Sequence, residues 1–328
     1  MPTLNRRENF MRLFYGEIPE YIPSYLPFSA SPPFMRGTRN PDGTGTSIFG
    51  VEQVLGSGIV PAAMPKTHDF ILEDVTKWRD VVKLPDTSDI DWAMLAKEAK
   101  DAHNPELPWG AGCGIGVFQT LVALMGFTEG LVACFEEPEA VKEMLNYITE
   151  WMVANAKQVL YHYQPEYGTY GDDIAHERNP FISLEMFRDI FAPCWRAYYA
   201  VFKEAGIPCT MHNCGHFEEF VDDMVDMGVW FWEPVQSSND MLAIKAKYGT
   251  RLAMCEGFEV RFFDDNITEE ELRAAFRARM DEVAPGGAFA NYEFDPNGPG
   301  VPSFTPRQNQ LLTWAWDEFE QIRYNYYN

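Results

Sequence analysis

The chain is short of positive charge, of long apolar runs and of any cysteine framework, and each shortage removes a class of function. Its 328 residues hold 26 Lys and Arg against 49 Asp and Glu, a formal net charge of −23. Such a surface lacks the cationic stripes that phosphate backbones and anionic lipid require, so neither a nucleic-acid nor a membrane partner is expected. A protein partner with a basic face is compatible with it. No stretch reaches the roughly 18 consecutive apolar residues of a membrane-spanning helix. The opening MPTLNRRENFMRLFYG carries charge with no apolar core behind it. No secretory signal is therefore expected, and the chain is assigned to the cytoplasm. The six cysteines are scattered, which reads as reduced thiols rather than a disulfide scaffold and leaves some free to bind metal. The Gly-rich stretch 36–50 contains no lysine, which excludes a phosphate-binding loop of the Gly-Lys-Ser/Thr kind.

What is present is a large apolar fraction, 46%, enough to fill a substantial core. From residue 108 onward, strand and helix signals alternate. Helical spacing covers 137–163, 183–206, 217–228, 240–249, 268–287 and 306–325, with Ser183 and Thr268 as N-cap signals. Between them lie strand-like segments at 166–175, 207–216, 229–236, 250–258 and 287–294. Earlier, 5–15 reads as an amphipathic helix and 22–34 as a strand entering a Pro-rich loop. The acidic helical region 74–100 is broken at Leu84-Pro85-Asp86. Alternation of this kind requires a parallel sheet with crossover helices. About eight such units favour a closed barrel over a doubly wound sheet. The expectation is one α/β domain over 1–328, a (β/α)8 TIM barrel with an N-terminal extension.

Barrel enzymes place their chemistry at the C-terminal ends of the strands. Polar residues fall there repeatedly: Asp172, Asp173, His176 and Glu177; His212, Asn213 and Cys214; Glu233 and Gln236; Cys255 and Glu256; Asn291 and Glu293. Zinc prefers thiolate and imidazole, and a catalytic zinc keeps one position open. His212 and Cys214 are two residues apart, so on an extended segment they project to one side. Cys255 lies at a later strand end, completing a candidate His212, Cys214, Cys255 site, with Glu177, Asp173 or Glu233 as a fourth ligand. The plainer alternative is that these cysteines are small buried apolar residues. Cys134 and Cys194 on helical apolar faces and Cys209 within a strand read as structural, while Cys113 is open. Asp172 and Asp173 have two balanced readings, substrate orientation or proton transfer against a solvated turn or helix start. Of the aromatics, Phe28, Phe34, Trp230, Phe231 and Trp232 are mostly core, with a few able to line a pocket.

The order Gly171-Asp172-Asp173, then Ser183-Leu184-Glu185-Met186-Phe187 leading into Pro193, then His212-Asn213-Cys214-Gly215, then Pro234-Val235-Gln236 resembles the uroporphyrinogen decarboxylase superfamily. The likeness covers most of the chain after residue 108. Within that superfamily, His-x-Cys-Gly with a later cysteine is similar to the zinc- and corrinoid-dependent methyltransferases. The decarboxylase proper is metal-free and carries an Arg-Gln-Ala-Gly-Arg segment that 22–40 lacks. Coenzyme M methyltransferases place their second cysteine near the last strand, where 286–299 here has none. The resemblance therefore implies the component that demethylates a donor, such as a methoxylated aromatic, and loads a corrinoid protein. It implies zinc on His212, Cys214 and Cys255, catalytic roles for Asp173 and Glu177, and substrate contacts from Asp172, Glu233, Gln236 and Asn291. A homodimer is compatible with this reading. The alternatives are a metal-independent decarboxylase of the same fold and a non-enzymatic ligand-binding barrel.

Overall fold

After residue 108, strand-length apolar segments alternate with capped helices in the described residues, as the spacing predicts. In the computed structural model the described residues are 2–25, 29–42, 44–55, 63–66, 68, 70–256, 266–293 and 305–327. In chain order the strands are β1 (Ser24–Tyr25), β2 (Thr38–Arg39), β3 (Gly45–Thr46), β4 (Glu52–Leu55), β5 (Ala63–Pro65), β6 (Gly110–Ala111), β7 (Tyr167–Gly171), β8 (Cys209–His212), β9 (Val229–Glu233), β10 (Ala253–Glu256) and β11 (Phe289–Tyr292). Seven of them form a curled parallel sheet in the order β1-β11-β10-β9-β8-β7-β6, and β2 to β5 form a small antiparallel sheet.

The expected eight-stranded closed barrel is thus corrected to a curled seven-stranded sheet among the described residues. Across its two edges, Ala30 makes an isolated parallel bridge with Ala111. Ala30 N donates to Gly110 O at 2.9 Å, and Gly112 N donates to Ala30 O at 3.0 Å. Beyond Ser31, Pro32 and Pro33 have no N–H to extend a ladder, so the contact stays a single bridge. The antiparallel β2–β5 sheet was not legible in the polar, Gly-rich 36–50. Phe28 lies outside the described residues.

The strand alternation sorts side chains onto two faces. Trp232, Met211, Met254 and Phe289 join the large core that packs the sheet against its helices. Tyr25, Tyr167, Phe231, Ala253, Cys255 and Ala290 join a second core on the inner face, closed from one end by Phe10, Met11, Leu13 and Phe14. Those four come from the N-terminal helix Arg6–Met11 and the turn after it, which the sequence marked only as an amphipathic extension. Asn5 and Glu8 form a capping box that fixes where this helix begins.

The helix expected over 183–206 starts at its Ser183 cap but is not uniform. A π-helical turn, Phe187–Phe191, precedes the regular Ala192–Glu204. Pro193 explains it, because its ring cannot donate and crowds the carbonyl four residues back. Among the described residues, no single helix is long and apolar enough to cross a membrane.

Candidate metal centre

His212 is the last residue of β8, and in a parallel sheet that end opens toward the loops that carry chemistry. The register sets it beside Gly171 on one side and Glu233 on the other. Its ring is held at both nitrogens. Nδ1 lies 3.1 Å from both carboxylate oxygens of Glu233. Nε2 faces Cys214 Sγ at 3.8 Å and Asp173 Oδ1 at 4.0 Å. Glu233 accepts at Nδ1, which leaves Nε2 as the nitrogen that faces Asp173 and Cys214 and can ligate a cation once it gives up its proton.

Asp173, His212 and Cys214 each offer one ligand atom, and these atoms lie within 4.8 Å of one another. The group combines oxygen, nitrogen and sulfur donors, a set that suits a borderline cation such as zinc and leaves room for a further ligand. Asp173 is itself positioned twice. Its Oδ1 accepts from Cys214 N at 2.8 Å and its Oδ2 from Gln119 Nε2 at 3.1 Å. Desolvation acts against a charged imidazole, but the Glu233 carboxylate and Cys214 outweigh it and hold His212 well above its ordinary pKa. Burial raises the Cys214 thiol above its usual value, with His212 pulling the other way. A bound cation would reverse that balance by favouring the thiolate.

The turn after His212 is built for one residue type. Gly215 has φ +85°, and a Cβ there would lie 2.7 Å from the carbonyl oxygens of Ala175 and His176. The close approach ties the loop carrying Cys214 to the loop carrying Asp173. Gln236 Oε1 accepts from Gly215 N at 2.6 Å, and Asn239 Nδ2 donates to Gly215 O at 2.9 Å.

The other expected site residues take different places. Cys255 is fully buried in the inner-face core, and its Sγ lies 4.0 Å from the carbonyl of Glu256. Met254 pairs with Trp232, so Cys255 is level with Glu233, while Cys214 sits two residues beyond the end of its own strand. Cys255 stands beyond Glu233 from His212 and packs into the inner-face core, outside the three-residue group that Asp173 completes. Burial, reinforced by Glu233, pushes the Cys255 thiol well up.

Asp172 turns away from the centre. It is fully buried and accepts from Phe118 N and Gln119 N at 3.0 Å and from Trp195 Nε1 at 2.9 Å. Two of those donors are orphan amides at the start of the helix Val117–Met125, so Asp172 works as a cap supplied from another element. Burial still lifts its carboxyl to about 7, only partly offset by these donors. Gln236 spends its oxygen on Gly215, as above. Glu177 is exposed, on the loop flanked by the Ala175–Pro180 bridge, and is not one of the three grouped residues. Asn291 is one residue out of phase with the inner-face positions Ala290 and Tyr292, and its amide donates to Tyr292 O at 3.0 Å. Glu233 is buried and reaches the centre through His212. Three contributors escaped sequence reasoning: Gln119, Tyr25 and Tyr292. Period-two alternation through Ala288 and Ala290 was the available signal for Tyr292. Nothing local distinguished Gln119.

Residues 46–255 match the family described as Uroporphyrinogen decarboxylase (URO-D). The match covers more than half of the chain, and the protein belongs to that family. A solved structure described as a methyltransferase from Methanosarcina mazei superposes with a TM-score of 0.62 at 15% identity, covering 97% of this chain and 99% of that one. The likeness establishes a shared fold over the full length. No curated protein matches the sequence.

Proposed function

We propose that this chain is a zinc-dependent methyltransferase that takes a methyl group from a methylated small molecule, with aromatic methyl ethers as the first donors to try. The acceptor in this reading is the corrinoid of a separate partner protein. The carrying observation is the Asp173, His212 and Cys214 group at the strand ends of a URO-D family member. The decarboxylase named by the family needs no such donor set, and the fold neighbour described as a methyltransferase points the same way.

In this reading Asp173, His212 and Cys214 hold zinc, which supplies Lewis acidity that makes the donor's heteroatom a better leaving group. The chain's own residues prepare that centre. Glu233 keeps the proton on His212 Nδ1 and so leaves Nε2 as the ligand atom. Gln119 and the Cys214 amide hold the two Asp173 oxygens, which limits that carboxylate to one approach. Gly215 keeps both ligand-bearing loops in contact. Glu177, exposed on the loop after Asp173, is available to the substrate side rather than to the metal.

The family match itself favours a second reading, metal-independent decarboxylation. One experiment separates the two. The zinc-loaded chain is mixed with reduced cobalamin and a panel of methylated donors, and separately with a porphyrinogen polycarboxylate. Methylation of the cobalamin, abolished in Cys214→Ser, is the expected outcome. Carbon dioxide release from the porphyrinogen without metal would overturn the methyltransferase reading.

A further inference from the structure

Beneath His212, the inner face holds two phenols on one buried carboxylate. Tyr292 Oη donates to Glu233 Oε2, and Tyr25 Oη donates to Glu233 Oε1 at 3.4 Å. Glu233 in turn accepts from His212 Nδ1 with both oxygens. The Tyr25 ring has little freedom: it stacks on Phe10 at 5.8 Å, packs against Phe231 at 4.9 Å and meets Tyr292 edge-on at 5.5 Å. A carboxylate left alone in such an apolar core would be costly to bury, and it would swing toward any nearby cation. The two hydroxyls both satisfy it and aim it.

We infer that Tyr25 and Tyr292 are positioning residues which, through Glu233, fix the His212 ring with Nε2 toward Asp173 and Cys214 and so set the affinity of that group for a divalent cation. Neither phenol belongs to the three-ligand group, and each acts at one remove. The inference rests on the metal-centre reading above and adds who holds the histidine. Outer-shell partners of this kind change metal affinity by roughly 10–100-fold when removed.

The test is a cobalt(II) titration of the full chain, following the d–d bands and the thiolate-to-metal charge-transfer band, with zinc affinity by competition. The variants are the double Tyr25→Phe/Tyr292→Phe, which keeps both rings, and Glu233→Gln. The double variant is expected to bind about tenfold or more weakly, with the charge-transfer band of Cys214 retained and a lowered thermal midpoint of the metal-free chain, because Glu233 loses two hydrogen bonds. Glu233→Gln keeps an acceptor for Nδ1 but not the charge, and weaker binding with the same band is expected. Should the double variant fail to fold, Glu233→Gln carries the test alone. Wild-type affinity and spectrum in the variants would overturn the inference while leaving the metal centre standing. A wild-type chain that binds no cobalt or zinc would overturn the metal centre and the inference together.

Discussion

Cys214 and Cys255 stand two strands apart in the same sheet, and their surroundings differ in nearly every respect. Cys214 lies past the end of β8, partly exposed, with its amide on Asp173 and its sulfur 3.8 Å from a histidine nitrogen. Cys255 lies inside β10, fully buried in one core with Ala253, Ala290 and Tyr25, with the Glu256 carbonyl oxygen 4.0 Å from its sulfur. Two residues past its strand end, Cys214 meets His212 and Asp173, while Cys255 packs into the core. A thiol becomes a metal ligand by having other donors converge on it, and burial alone works against the thiolate form.

The largest effect that sharpens this contrast is on Cys214. Cys214→Ser is expected to weaken zinc binding by more than about 100-fold, beyond what outer-shell changes produce, as read by competition with a chromophoric chelator. Retention of full affinity would break the comparison. Next comes Asp172, whose neighbour Asp173 faces the centre while it faces the core. Asp172→Asn puts an NH2 where an oxygen accepts from backbone, indole or phenol donors and should cost about 2 kcal/mol of stability in denaturant titrations, with zinc affinity retained. Zinc lost in proportion would place Asp172 in the centre after all.

Asp172 also predicts a pH dependence. Its folded carboxyl is lifted from 3.8 to about 7, so between those values the folded chain holds a proton that the unfolded chain has released. Its contribution is fully present below pH 3.8 and is lost as pH rises through about 7. Asp172→Asn should flatten that part of the stability profile, and an unchanged slope would refute the assignment. The smallest effect is on Cys255. Cys255→Ala leaves a small cavity and should cost roughly 1 kcal/mol, with zinc content unchanged. Loss of zinc from this variant would make Cys255 a ligand.

Much of this was readable before the structure, for definable reasons. The repeat of strand and capped helix after residue 108 announced the parallel sheet, because capping signals such as Ser183 and Thr268 are local. His212-x-Cys214-Gly215 was legible because a glycine after polar strand-end residues marks a turn with close backbone approach, which Gly215 makes. The grouping of ligands was less legible. Asp172 and Asp173 are indistinguishable by type, and only the phase of β7 sends one to a helix start and the other to the centre. On β11 the strand phase likewise puts Tyr292, not Asn291, on Glu233. Cys255 matched by type and strand location, and its thiol packs into the inner-face core outside the three-residue group. The small β2–β5 sheet was hidden by short strands without apolar alternation.

The most direct measurement is the metal content of the full chain after zinc loading and gel filtration, by inductively coupled plasma mass spectrometry, for wild type and Cys214→Ser. About one zinc per wild-type chain, and none retained by the variant, is the predicted result. A wild-type chain that leaves the column free of metal would contradict the account of Asp173, His212 and Cys214 as a metal centre.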